Sequence, residues 1–310
     1  MDKSKLDQYI SNNKDSIHSN IVYCFRSEYL KNTLKPLLIQ GNTQSDYFTE
    51  ITINDTLIKH RNSPIFIYGE YIKLSREMTQ TPLRIKGKLK CERSVSDFTE
   101  QIRDHYGSKE VKFIPSGRED IDVRMIGGRP FLLKIVEPSR NFYSSSININ
   151  LYNEVNLINV RQVTKDIRNV ILTGEKTEKK IYRALVASKN ELNIENVYYI
   201  EQKTPLRVLH RRANLVRNKK IEILEIKKEI EDDFFFYEIS LRGSAGAYIK
   251  EFVNGDMGRT RPSLSDSGNY CDLLELDVLS VEKREIDPKI IIREITLNKN
   301  NHLFDEREVY

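Results

Sequence analysis

Between Ser116 and Arg124 the chain packs three carboxylates (Glu119, Asp120 and Asp122) and two arginines (Arg118 and Arg124) into nine residues, and Gly127-Gly128-Arg129-Pro130-Phe131 follows closely. Such a stretch can do three kinds of work. One aspartate, kept ionised by neighbouring cations, can act as a nucleophile. Several carboxylates can converge on a divalent cation and activate water, which would make a nuclease of Glu119, Asp120 and Asp122. The same side chains can also serve only as turn formers and salt-bridge partners. If residues 121–125 run as a strand, alternation points Asp122 to the face that Asp120 uses, so pattern by itself leaves both in play.

Three other places carry residue types of interest. Tyr182 stands in the apolar run Ile181–Val186, where a tyrosine is ordinarily a core residue with its hydroxyl at the surface. Lys250 follows Gly246-Ala247-Tyr248-Ile249, a position that is ordinarily a solvated helix charge. From Lys203 to Lys220 there are seven Lys or Arg and no Asp or Glu, which suits a solvated surface loop or a clamp on phosphates. Thr204-Pro205 gives that run a stiff, extended start. The histidines are scattered and the three cysteines, Cys24, Cys91 and Cys271, form no CxxC pair, so no metal constellation is visible and a reducing compartment is expected.

These motifs together carry a family resemblance. Gly117-Arg118-Glu119-Asp120 resembles the catalytic loop of pseudouridine synthases. The longer GREDIDVR (residues 117–124) with GGRPF (127–131) is similar to the eukaryotic and archaeal family that modifies the TΨC arm of tRNA. The likeness extends over roughly residues 57–283, through YGEYIKLSREMTQTP (68–82), QKTPLRVLHRR (202–212), GAYIKEFV (246–253), GDMGRTRP (255–262) and LELDV (274–278). It implies an isomerase converting uridine 55, 54 or both to pseudouridine, with tRNA as partner and no cofactor or metal.

In that reading Asp120 is the nucleophile, and Tyr182 stacks on the flipped uracil and assists proton movement. Lys250 pairs with Asp120, Tyr248 is a pocket wall and Leu276 an apolar floor. Arg118, Lys203, Arg207, Arg211, Arg212 and Arg259 would contact the RNA, while Lys73, Arg76, Gln80, Thr81 and Pro82 would face it or brace the cleft. The chain departs from the family pattern at Ala247, where a threonine is usual, and at Asn254, where a histidine is usual. The alternative is a tRNA- or small-RNA-binding protein that uses the same cleft without catalysis. Larger relatives carry an N-terminal RNA-binding module with a four-cysteine zinc site; the cysteines for it are not in this sequence, so residues 1–58 would at most replace it in reduced form.

Around these residues the elements read as α+β. The resemblance implies the pseudouridine-synthase fold, a mixed central sheet in two subdomains flanking a cleft. A small accessory region is expected over 1–58, with strand-like patches at 21–25 and 36–39, and a catalytic domain over 59–310. Ile65–Tyr68 reads as a strand bounded by Gly69. Ser94 starts a helix through Val95, Phe98 and Ile102. Val123–Met125 and Phe131–Ile135 form a hairpin about Gly127-Gly128. Val163, Ile167, Val170 and Ile171 make a helical stripe. Residues 221–226 and 234–241 form a second hairpin, Gly243–Gly246 breaks the chain before a helix, and Ile290–Ile292 adds a late strand. With 310 residues, a net charge of +5, no apolar run long enough to span a bilayer and no signal-peptide core, the expectation is a soluble protein of the cytoplasm, the nucleus or both.

Overall fold

The computed structural model describes residues 49–53, 58–171, 178–266, 270–282 and 285–299, with Gln8, Ser11 and Asn12; the patches expected at 21–25 and 36–39 lie outside them. A short hairpin pairs Thr49–Ile53 with Ile58–Asn62 and so straddles residue 58. Two more two-stranded pairings join Arg84–Ile85 to Lys88–Leu89 and Ser146–Ile149 to Thr296–Lys299, and the other strands of the described residues form one eleven-stranded sheet. Its strands are β1 (Ile65–Lys73), β2 (Glu110–Pro115), β3 (Val123–Val136), β4 (Val155–Val163), β5 (Lys180–Ser188) and β6 (Val197–Lys203). They continue with β7 (Val216–Glu231), β8 (Phe234–Gly243), β9 (Thr260–Arg261), β10 (Cys271–Val281) and β11 (Ile291–Glu294). The spatial order is β9-β6-β7-β8-β5-β10-β3-β1-β4-β11, with β2 on the flank of β3. Of two helices, α1 (Thr99–Tyr106) and α2 (Ile249–Asn254), α2 carries residues of the site. No helix of the described residues is long and apolar enough to cross a membrane. A mixed sheet with few helices is the α+β class that the sequence predicts.

The sheet falls into two halves that meet at one seam. On one flank of β3, residues 131–136 pair antiparallel with β2, while residues 123–125 pair with Leu276–Val278 of β10. That second contact is the one parallel pairing in this sheet among the described residues. The flank thus changes partner midway, and the loop 116–122 sits where β2 leaves and β10 takes over.

The expected hairpin about Gly127-Gly128 does not exist, because both flanking segments belong to the single strand β3. The glycines are instead an irregularity in its pairing with β1, whose register jumps from Tyr71↔Arg129 to Lys73↔Met125. Gly128 adopts φ +73, and a Cβ on Gly127 would collide with the backbone of Leu279 and Ser280 in β10. The glycine pair serves strand-to-strand closeness at the seam and makes no turn. Gly69 likewise does not end β1, which continues to Lys73; its missing Cβ leaves room for the Phe131 ring.

Ser94 starts its helical segment as expected, with the Asp97 carboxylate accepting from the Ser94 amide at 2.8 Å and from its hydroxyl. A 3₁₀ turn over Val95–Phe98 precedes α1, and Val95, Phe98 and Ile102 are buried. Val163 closes β4 and is not helical; the helical residues begin at Ile167, after the Thr164–Asp166 turn. Val163, Ile167 and Ile171 still pack together with Tyr68 and Leu132 on the back face of the sheet. The β7–β8 hairpin turns at Asp232 and Asp233, both left-handed, and β11 adds to β4 as the late strand. The large core lies on the opposite face and runs through both halves, from Ile65, Ile67 and Phe131 to Ala184, Ile239 and Phe252.

Candidate active site

A buried polar frame fixes the loop between β2 and β3. Glu119 points inward, accepting from the Tyr71 hydroxyl at 2.8 Å and pairing with Arg129 Nε at 2.9 Å, and both partners are almost wholly enclosed. Arg129 also donates to the Ser116 carbonyl at 3.0 Å. Gln80 bridges the Tyr71 hydroxyl (2.6 Å) and the Gly117 carbonyl (3.0 Å). Lys73, fully buried, gives its ammonium to main-chain carbonyls of Ile121 (2.8 Å), Met78 (3.2 Å), Ser75 (3.2 Å) and Asp120 (3.4 Å). Burial drives the Tyr71 phenol well above its ordinary range and lowers the Lys73 ammonium. With each of these buried groups bonded, the loop backbone has little freedom.

That frame leaves Asp120 directed outward, half-buried, into a cleft of about 390 Å³. Two cations reach one of its oxygens: Arg207 Nη1 at 2.9 Å and Lys250 Nζ at 3.3 Å from Oδ2. Lys250 also holds both oxygens of the exposed Asp122 at 2.7 Å. Burial would raise the Asp122 carboxyl, but the Lys250 hydrogen bond and charge outweigh it and hold the group below its ordinary value. Arg207 turns its Nε to the buried Glu251 at 2.6 Å.

Leu276, Val278 and Val123, brought side by side by the seam, make an apolar floor. Tyr182 of β5 lines the same cleft. Its phenol makes no hydrogen bond among the described residues, and burial, only partly opposed by the Arg129 charge, pushes it up to about 12. Tyr248 is placed by Gln202, a buried residue of β6, which accepts from the Tyr248 amide at 3.0 Å and donates to its carbonyl at 2.9 Å. This clasp sets the start of α2, and Lys250 follows in its first turn.

The structure therefore brings Asp120, Tyr182, Lys250, Tyr248, Leu276, Arg118, Arg207, Arg211 and Arg212 to one cleft. Arg207 differs from the sequence reading: its guanidinium is engaged by Asp120 and Glu251, so it belongs to the carboxylate's surroundings and not to a free clamp. Lys203 and Arg259 do not line the cleft. Lys203 is exposed on β6, on the side opposite Gln202. Arg259 braces the basic loop from behind, through the Thr204 carbonyl at 2.8 Å and Asn214 at 3.0 Å.

Of the three carboxylates of the loop, Glu119 turns inward to Arg129, while Asp120 and Asp122 share the Lys250 ammonium. Among the described residues no group of three metal-binding side chains converges anywhere. Lys73 and Gln80 brace the loop, one of the two roles the resemblance offers them, whereas the positioning roles of Arg129 and Gln202 are invisible in the local sequence. The strict in–out alternation of β6, which buries Gln202 between Ile200 and Thr204, is the only hint the pattern offers for that residue.

Behind the floor, Asp277 ties the seam together. It is 1% exposed and receives Arg124 Nε at 2.8 Å and Arg76 at 2.8 Å from the first half, and Arg183 at 2.6 Å from the second. Burial raises its carboxyl, but the Arg124 and Arg183 hydrogen bonds prevail and the net effect is downward. Arg76 also donates to the carbonyls of Asp122 (3.0 Å) and Leu276 (2.9 Å), so this part of YGEYIKLSREMTQTP braces the cleft.

A family model described as "Pus10, C-terminal" matches residues 66–282. The chain is 38% identical over 246 residues to the tRNA pseudouridine synthase Pus10 of Homo sapiens, covering 73% of this chain and 45% of that protein. It is 35% identical over 247 residues to the tRNA pseudouridine synthase Pus10 of Methanosphaera stadtmanae, covering 71% of this chain and 60% of that one. The chain thus spans about half the length of the curated relatives it matches. Among solved structures it is similar to a chain of a Cbf5-Nop10-Gar1 complex at 14% identity, with a TM-score of 0.33, covering 70% of this chain and 50% of that one. A single match that runs from within β1 to the residue after β10 takes in the polar frame, both walls of the cleft and its floor, and by it the chain belongs to the Pus10 C-terminal family.

Proposed function

We propose that this chain is a tRNA pseudouridine synthase that isomerises uridine 55, uridine 54 or both in the TΨC loop, with Asp120 as nucleophile. The observation that carries the reading is the setting of Asp120: a half-buried carboxylate with Arg207 and Lys250 on one oxygen, beside Tyr182 and above an apolar floor. Both cations bond to the carboxylate Oδ2 and so fix its orientation in the cleft. The target uridine is extracted from its loop at a cost of a few kcal/mol, offset by stacking and backbone contacts. Asp120 attacks the nucleotide covalently and the glycosidic bond from C1′ to N1 breaks. The uracil turns and C5 bonds to C1′ as the bond between Asp120 and C1′ breaks, which returns the free carboxylate. The C5 proton leaves and N1 ends protonated, so no external reactant is consumed. Tyr182 supplies a flat face for the turning base and a phenol that stays protonated at neutral pH.

Incubation with an unmodified tRNA transcript, followed by site-resolved pseudouridine mapping, tests the reading. The expected result is pseudouridine at 55, 54 or both with the wild type and none with Asp120→Ala, while tRNA affinity stays nearly unchanged because phosphate contacts dominate it. Normal turnover by Asp120→Ala would overturn the assignment of the nucleophile. Binding without any product from the wild type would favour the non-catalytic reading.

A further inference from the structure

On the back face of the first half lies a second groove, about 470 Å³, which the cleft chemistry does not use. Its floor is Phe66 of β1 and Ile114 of β2, and Lys112, Lys134, Lys165 and Arg168 surround it, with Asp166 as the one carboxylate in the lining. Lys112 and Lys134 stand directly opposite each other across β2 and β3. Like charges in that relation destabilise a sheet pair. Lys112 has only a 3.5 Å contact to the exposed Glu110, and Lys134, Lys165 and Arg168 make no ion pair among the described residues. Asp166 accepts from the Thr164 hydroxyl at 3.2 Å and neutralises none of them. Four cations therefore converge on a concavity with an aromatic and aliphatic floor. That combination suits a nucleic-acid strand, whose phosphates meet the cations and whose base or sugar meets the floor.

The groove is not part of the cleft. Phe66, Ile114 and Lys134 face away from the large core, whereas the cleft floor faces toward it. Yet β2 links the two sites. Lys112 lies five residues ahead of Gly117, or roughly 17 Å along a strand at about 3.3 Å per residue. Because β2 pairs, among the described residues, with β3 alone, RNA can pass around this edge without crossing the sheet. We propose that this groove is a second RNA-backbone site, holding phosphates of a part of the tRNA other than the arm that enters the cleft. The proposal rests on the reading of tRNA as substrate.

Equilibrium binding over a range of salt concentrations tests it, with an unmodified tRNA transcript and with the isolated TΨC stem–loop as probes. The variants are Lys134→Ala/Lys165→Ala/Arg168→Ala and, confined to exposed positions, Lys165→Glu/Arg168→Glu. For the whole tRNA, both variants should bind more weakly. The triple variant should lower the slope of log affinity against log salt by roughly 0.7 to 0.9 for each phosphate it no longer neutralises. For the stem–loop, affinity and slope should match the wild type, and isomerisation of the stem–loop should be unaltered. An unchanged slope with whole tRNA, or an equal weakening with the stem–loop, would overturn the proposal. A wild type that forms no pseudouridine, yet shows the tRNA-only salt effect, refutes the catalytic reading and supports the groove.

Discussion

Two cations share one oxygen of Asp120, and they arrive from different directions: Lys250 from the first turn of α2 and Arg207 from the basic loop. Arg207→Met should lower turnover by roughly 10- to 100-fold, the equivalent of a charge-assisted hydrogen bond of about 1.5–3 kcal/mol. Arg211→Ala/Arg212→Ala, which leaves Asp120 untouched, should mainly weaken tRNA binding. Single-turnover rates at saturating tRNA separate the two, and an Arg207→Met enzyme with wild-type single-turnover rates would remove Arg207 from the reacting set. Tyr182 allows a finer division. Its phenol is pushed up to about 12, so it is protonated throughout the neutral range and should not set an alkaline limb there. Tyr182→Phe keeps the stacking face, whereas Tyr182→Ala also forfeits stacking of about 1–3 kcal/mol per base. The Ala variant should therefore fall below the Phe variant by roughly 5- to 100-fold in single-turnover rate; equal rates for both would reject a stacking role.

At the scale of elements, the motifs are legible where their meaning is local. The capping residues before α1, the Asp232-Asp233 turn and the glycines ahead of α2 each act within a few residues, and the pattern locates all of them. Gly127-Gly128 misleads because a glycine pair between apolar runs is a turn signal. Its real reason is the backbone of β10, about 150 residues later, which no local pattern contains. The burial of Lys73, which the resemblance names only as facing the RNA or bracing the cleft, is hidden for the opposite reason: lysine is ordinarily solvated, and the carbonyls that satisfy this one come partly from the loop 47 and 48 residues away. A charge run, likewise, does not show which arginine turns inward. Arg207 does so because Val208, buried beside it, pins the short 3₁₀ turn Leu206–Val208 against the body. Gly127→Ala tests the glycine argument. Its Cβ must displace strand backbone, so it should destabilise by about 1–3 kcal/mol in urea unfolding, the range for overpacking, and depress turnover by shifting the floor. A variant as stable and active as wild type would contradict the close approach.

At the scale of the molecule, the two halves are joined by a short parallel pairing and by the arginines on Asp277. Because the fold holds the Asp277 carboxyl below its ordinary value of 3.8, its contribution is complete above that value and is lost as pH falls through the lower one. Asp277→Asn should therefore cost about 3–5 kcal/mol near neutrality, the range for breaking a buried ion pair, and the gap to wild type should close on acidification. Urea unfolding of both proteins from neutral to acidic pH measures it, and a gap independent of pH would mean that the charge plays no part.

The seam also bears on the order in which the chain folds. Its partners, 153 residues apart at Arg124 and Asp277, can meet only after a long loop has closed, whereas hairpins such as β7–β8 form from neighbours. By that argument β1–β4 and β5–β10 can each gather from nearer neighbours, while the β3–β10 contact, like the pairing of β11 with β4, needs a long closure. Floor, loop and cations have no common address until that contact is made. A chain whose halves have not met therefore holds every residue of the cleft but no cleft, and the site exists only once β3 lies against β10.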